Sequence, residues 1–276
     1  MSTREPAAGR LVVCPTPIGN LEDVTLRVLE ALRDSDVIAC EDTRRTRGLL
    51  ERYGVETRLL SYHEHNERAR TEPLLERMRG GETVALVSDA GMPLVSDPGL
   101  VIVRACIEAD LRVEVLPGAS SVLTALVASG LAGEQWRFVG FLPRQRARLA
   151  EVLNAPETLV AFESPRRLAA TLQTLAEQDP DRRAAVCREL TKLHEEVVRG
   201  SAGQLAERYA GGEPRGEIVL VLGPASEREV GLDMPLGALG RLIEAGAKPR
   251  VAAGVVAELT GTSANALYRA HTARRD

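Results

Sequence analysis

The chain has 276 residues, 44% of them hydrophobic, enough for two domains that each bury a core. Thirty-five Lys and Arg stand against 39 Asp and Glu, a net charge of -4, which excludes a uniformly basic surface and confines any nucleic-acid contact to a local patch. No apolar run reaches a membrane span, and Cys14, Cys40, Cys106 and Cys187 lack C-x-x-C spacing, so we expect a cytoplasmic protein with reduced core thiols and no membrane or metal association.

Met1 to Arg10 is polar and small-residue rich, and we expect it to be flexible. Leu11 to Cys14 reads as a strand, Pro15 to Asn20 as a turn, and Leu26, Leu29 and Leu32 as the apolar face of a helix. A strand at Val37 to Cys40, an amphipathic segment from Thr43 to Tyr53 and a strand near Arg58 to Ser61 follow, then a helix over Glu72 to Met78. The strand Thr83 to Val87, a loop to Gly99, a helix from Leu100 to Ala109 and the strand Arg112 to Leu116 complete the first half. This alternation predicts an α/β fold with a mainly parallel sheet, and a first domain over residues 11–121.

An Ala/Leu-rich helix toward Ser129 opens a second α/β domain, residues 122–225, built in the same style. Its strands are expected at Phe138 to Leu142, Leu159 to Phe162, Ala184 to Cys187 and Glu217 to Leu222. Residues 234–276 read as a helical tail: a helix from Leu236 to Ala245 stopped by Gly246, a second opened by Pro249, and a third capped by Ser263. That spacing fits a nucleic-acid-binding helix-turn-helix and equally an ordinary helical hairpin.

Three loops stand where parallel strands give way to helices, the edge at which doubly wound folds take ligands. The first is Thr16-Pro17-Ile18-Gly19-Asn20, which lacks G-x-G-x-x-G and so disfavours a dinucleotide; a tight structural turn explains Gly19 equally well. The second runs from Ser88 to Gly99 with two Ser-Asp pairs, two Gly and two Pro. Its carboxylates and backbone groups suit amines and hydroxyls, although two turns with Asp97 capping the next helix give the same pattern. The third is Pro117-Gly118-Ala119-Ser120-Ser121, whose hydroxyls suit a ligand or simply cap a helix.

Cys14-Pro15-Thr16-Pro17-Ile18-Gly19-Asn20-Leu21, Cys40-Glu41-Asp42-Thr43-Arg44, Ser61-Tyr62-His63-Glu64-His65-Asn66-Glu67, the Ser88 to Gly99 loop and Pro117 to Ser121 resemble, in order, the signatures of the tetrapyrrole-methylase-like superfamily. Gly140-Phe141-Leu142-Pro143-Arg144, Phe162-Glu163-Ser164-Pro165-Arg166-Arg167-Leu168 and Arg188 to Glu196 are similar to the branch that methylates small-subunit ribosomal RNA. The resemblance implies two α/β domains with S-adenosylmethionine in the cleft between them, a homodimer, and methyl transfer to the 2'-oxygen of a decoding-region cytidine in 16S rRNA. It assigns the donor to Pro17, Ile18, Gly19, Ser88, Asp89, Ala90, Gly91, Met92, Ser120 and Ser121, with Ser88 standing where the superfamily usually has glycine.

A ribose hydroxyl is a poor nucleophile, so the reaction calls for a base, and the candidates are Glu163, Glu189, His63 and Lys192. Glu163 is favoured because it ends an apolar strand and precedes Ser164-Pro165-Arg166; ion pairs within the second domain would look the same for Glu163, Glu189 and Lys192. His63-x-His65 has no third and fourth ligand at metal spacing, and on an alternating stretch the two rings share a face. Arg44, Arg45 and Arg47, Arg144, Arg146 and Arg148, and Arg166 with Arg167 are candidates for RNA phosphates or solvated helix starts. Two other classes remain: a tetrapyrrole or corrinoid methyltransferase, which leaves the arginines unexplained, and a non-catalytic RNA-binding protein, which leaves the three loops unexplained.

Overall fold

The computed structural model describes residues 9–225 and 233–273. The chain divides after Pro224 into two compact units. The first half of the larger unit contains β1 (Arg10–Cys14), α1 (Leu26–Asp34), β2 (Val37–Cys40), α2 (Thr43–Tyr53), β3 (Leu59–Ser61), α3 (Glu67–Arg79), β4 (Thr83–Val87), α4 (Leu100–Glu108) and β5 (Arg112–Val115). Its five strands run parallel in the order β3-β2-β4-β1-β5. Helices cover both faces, which is why β1, β2 and β4 are apolar at nearly every position. Leu11, Val13 and Leu86 pack toward Leu74, Met78 and Ile102 of α3 and α4, while Val12, Cys14 and Val87 pack toward Val28, Leu32 and Leu50 of α1 and α2.

Of the segment expected to be flexible, residues 1–8 lie outside the described residues. Gly9 and Arg10 are held: the Gly9 N–H donates to the Met78 carbonyl at 2.9 Å, and Arg10 pairs with Glu114 at 3.2 Å. The helix expected from Glu72 begins at Glu67 and carries Pro73 inside it, so the proline does not mark its start. Residues 63–66 are a turn and not an alternating strand, closed by the Asn66 N–H on the His63 carbonyl at 2.9 Å.

The second half contains α5 (Ser121–Ser129), β6 (Trp136–Phe141), α6 (Arg146–Leu153), β7 (Thr158–Glu163), α7 (Pro165–Gln178), β8 (Arg183–Arg188), β9 (Glu196–Ser201), α8 (Ala202–Tyr209) and β10 (Ile218–Leu222). Its sheet has the order β6-β7-β10-β8-β9 and is not mainly parallel: only β6 and β7 run together, and the other three pairings are antiparallel. The cause is β9, a strand not evident in the sequence, which returns along β8, and β10, which inserts centrally. Helices α6, α7 and α8 cover one face of this sheet and α5 the other.

Two features tie the larger unit together. Ile18, from the loop after β1, lies in the same apolar cluster as Val122 and Leu126 of α5 and Val219 of β10. Arg182 is 1% exposed, and its guanidinium donates to the carbonyls of Leu153, Ala155, Glu157 and Gly223, which sets the ends of β7, β8 and β10 against each other.

The smaller unit holds α9 (Asp233–Glu244), α10 (Pro249–Thr260) and α11 (Ala264–Ala273) around Leu239, Val256 and Leu267. Pro249 opens α10 and left-handed Gly261 closes it. Arg250 lies 5.7 Å over the Tyr268 ring. The tail residues 274–276 and the polar connection 226–232 lie outside the described residues. Among the described residues no helix is long and apolar enough to cross a membrane.

Candidate active site

Because β4, β1 and β5 are parallel neighbours, the loops that follow them leave the same edge of the sheet, where they meet the second sheet. The first two loops are joined by paired backbone hydrogen bonds between Thr16 and Gly91, both 2.9 Å. Side chains lock the junction: the Thr16 hydroxyl donates to the Ser88 carbonyl at 3.0 Å, and the buried Ser88 hydroxyl donates to the Gly91 carbonyl at 2.9 Å. Gly91 sits at φ +80°, a conformation that favours glycine. Gly19 is required for a different reason, since a Cβ there would come within 2.5 Å of Lys192 Cγ and 2.7 Å of Thr191 Oγ1 across the cleft.

The cleft holds a cavity of about 370 Å³ between Ala90, Gly91, Met92, Ser120 and Ser121 on one side and Phe162, Glu163, Ile218 and Val219 on the other. A second hollow of about 240 Å³ is lined by Pro17, Ile18, Gly19, Ser88, Asp89 and Lys192. All ten residues expected to hold a donor therefore line one of these two spaces. Besides Ser88 and Gly91, two more have structural duties: Ser120 caps α5 at the Leu123 N–H, and Asp89 accepts the Asp42 N–H at 2.9 Å and pairs with Arg45 at 3.6 Å.

The expected bases are less free. Glu163 lines the larger cavity, but its carboxylate accepts the Ser164 N–H at 2.7 Å and the Thr171 hydroxyl at 2.6 Å and pairs with Arg167 at 3.3 Å. Lys192 bridges Glu189 and Glu217, both at 2.9 Å. Burial opposes charging of Glu189, yet the Glu217 N–H and the lysine leave its carboxyl below its usual range. Burial likewise opposes the lysine charge, but the two carboxylates raise its pKa, so Lys192 stays an ammonium ion. His63 lies on neither hollow; its Nε2 meets the Asn66 amide at 3.1 Å and its ring stands edge-on to His65 at 5.9 Å.

The arginines separate into two groups. Arg167 donates to the Leu142 and Pro143 carbonyls, Arg44 folds back on Asp42 and holds that carboxyl at about 2, Arg45 faces Asp89, and Arg146 pairs with Glu177. Arg144 and Arg166 are exposed and make no ion pair among the described residues. Among those residues, no group of three or more His, Cys, Asp or Glu is arranged to hold a metal ion.

Sequence reasoning missed Asp97 and Phe141. Asp97 does not cap α4, whose N-cap is Gly99; it lines the larger cavity, half-buried, without a hydrogen-bond or ion-pair partner among the described residues. Burial, and then Glu41 and Asp89, push its carboxyl up to about 7. Burial and Asp89 also raise Glu41. The signal was present in the second Ser-Asp pair, whose cavity-facing role depends on Leu94 and Ser96 both adopting positive φ. Phe141 is 64% exposed at the cavity, carried there by a β-bulge after Phe138 in which Gly140 has φ +67°.

Two α/β halves with stitched loops around a shared cleft define a methylase of the tetrapyrrole type. The family model of tetrapyrrole (corrin/porphyrin) methylases matches residues 10–206. The chain is 46% identical over 273 residues to a ribosomal RNA small subunit methyltransferase I of Mesorhizobium japonicum, covering 96% of this chain and 91% of the relative. It is 44% identical to the protein of the same name from Micromonospora olivasterospora, covering 96% and 87%. Among solved structures, uroporphyrin-III C-methyltransferase of Thermus thermophilus aligns with a TM-score of 0.57 at 25% identity, covering 78% of this chain and 94% of that one. Another structure of that enzyme, complexed with S-adenosyl homocysteine, aligns with a TM-score of 0.56 at 22% identity, covering 78% and 97%. The chain thus belongs to the tetrapyrrole methylase family, in its ribosomal RNA small subunit methyltransferase I group, and is a methyltransferase.

Proposed function

We propose that this enzyme uses S-adenosylmethionine to methylate 16S rRNA of the small ribosomal subunit at the 2'-oxygen of a decoding-region cytidine. The observation that carries the donor assignment is the convergence of the loops after β1, β4 and β5 on two hollows that share Ala90 and Glu217 and are lined by all ten expected residues. Val122, Phe162 and Val219 offer the donor's adenine an apolar seat, and the Asp89 carboxylate lines the neighbouring hollow for its polar groups. When bound, the donor provides an electrophilic methyl group. The chain must hold it, align the acceptor oxygen and take a proton.

The RNA reading rests on the names of the relatives, on Arg144 and Arg166, exposed and without an ion pair among the described residues, for phosphates, and on the exposed Phe141 ring, a face on which an unstacked base can lie. Identity of 44–46% over nearly the whole chain to relatives named for ribosomal RNA favours RNA over a tetrapyrrole substrate. We further infer a cytoplasmic homodimer, supported by exposed apolar residues on the first sheet's β5 edge, Val115, and on α5, Leu123 and Val127. Labelled methyl transfer to small subunits lacking the modification tests the function. The label should map to one cytidine whose 3' linkage resists alkali, and transfer to a base, or to a tetrapyrrole in place of RNA, overturns the assignment.

A further inference from the structure

We propose that Asp97 is the proton acceptor of the transfer step, taking the hydrogen of the acceptor hydroxyl as its oxygen attacks the donor's methyl carbon. The inference rests on the ribose-methylation reading above. In the step, the O–H bond breaks with its proton going to the Asp97 carboxylate, an O–C bond forms, and the C–S bond breaks with its electron pair left on sulfur. A carboxylate and a sulfonium become a neutral acid and a neutral thioether, and the acid returns its proton to water before the next turnover. Because charge is annihilated, a partly desolvated cavity assists the step.

Geometry separates Asp97 from the other carboxylates around the cavity. Glu163 is held by Ser164, Thr171 and Arg167, and Glu217 by Lys192, so each would have to break charge-assisted bonds before receiving a proton. Asp89 is committed to the Asp42 N–H and to Arg45. Asp97 alone among these four has no such partner among the described residues, and it shares the cavity with Met92, Ser120 and Phe141. Its placement is built in: Leu94 (φ 72°) and Ser96 (φ 67°) occupy the left-handed region and Gly99 has φ +130°, a strained path that the surrounding fold holds in place. The charged groups acting on it are Glu41 from the loop after β2 and Asp89 from its own loop; both are acidic and both favour the protonated form. A carboxyl near 7 is matched to proton transfer at neutral pH, where an ordinary aspartate is too weak a base.

The test compares wild type with Asp97→Asn and Asp97→Glu. Single-turnover methyl transfer to small subunits, measured at saturating donor, should fall about 10²–10⁴-fold in Asp97→Asn, the range of a lost general base. The wild-type rate should fall with acid along a limb that Asp97→Glu keeps and Asp97→Asn lacks. A second readout uses the protein without donor. The folded carboxyl is raised above its unfolded value, so its contribution to stability is full below about 3.8 and is lost as pH rises through about 7. Asp97→Asn should therefore gain in melting temperature relative to wild type as pH increases across that window, the opposite of what loss of a structural contact gives. A wild-type transfer rate in Asp97→Asn, an unchanged acid limb, or a melting difference independent of pH overturns the assignment. Failure of wild type to methylate any ribose overturns the preceding reading and the acceptor with it, and is scored first.

Discussion

Arg182 shows how much a single side chain can organise when it has no water to turn to. Burial lowers its pKa, and it has four carbonyl acceptors to satisfy it in exchange. Arg182→Met keeps the volume and strands those carbonyls, so we expect a loss on the order of 3–5 kcal/mol. For a chain of this size that is about 10 °C in melting temperature, read by thermal unfolding. A drop near 1 °C would mean that water replaces the guanidinium. Nothing in Asp-Arg-Arg at 181–183 sets this arginine apart in the sequence, because its partners lie 25 to 41 residues away. The same blindness applied to Glu163, favoured as a base for its place at the end of an apolar strand. Its position against the cavity was legible, but its bonds to Thr171 and Arg167 arise from α7 folding back over β7.

At the scale of elements, the turn after β1 is the piece that closes the cleft. Gly19 leaves no room for a side chain beside Leu190, Thr191 and Lys192, and the Asn20 N–H donates to the Thr191 hydroxyl at 3.0 Å. Gly19→Val must displace that turn at a cost of about 1–3 kcal/mol. We expect donor affinity to fall about tenfold or more, with β1 and its core intact; calorimetry on the folded variant checks both. The parallel first sheet was readable because each strand is buried on both faces and spelled as an apolar run, with a turn-rich loop at its end. The second sheet was not, because Glu196-Val197-Val198-Arg199-Gly200-Ser201 is a half-exposed edge whose charges hide its period. The start of α3 was hidden by Pro73, a residue type favoured at the first helical position but here sitting well inside the helix.

Across the whole molecule, the division after Pro224 predicts separable stability. The loops and both sheets precede it, and residues 233–273 have a core of their own around Leu239, Val256 and Leu267. A chain ending at Pro224 should fold and bind donor with unchanged affinity, while any contribution of the tail shows as weaker binding to small subunits. Loss of donor binding in the folded truncation would place the tail's influence at the cleft. The four cysteines, finally, are distributed so that the protein carries its own reporters. Cys14 and Cys40 lie in the first sheet, Cys106 on α4 and Cys187 in the second sheet, all buried. Burial pushes the Cys14 thiol up to about 12 and those of Cys106 and Cys187 to about 11, so at neutral pH none is a ready nucleophile until its surroundings open. Each thiol is thus a clock for its own region. Variants keeping one cysteine apiece would time the opening of either half of the enzyme without any foreign label in the fold.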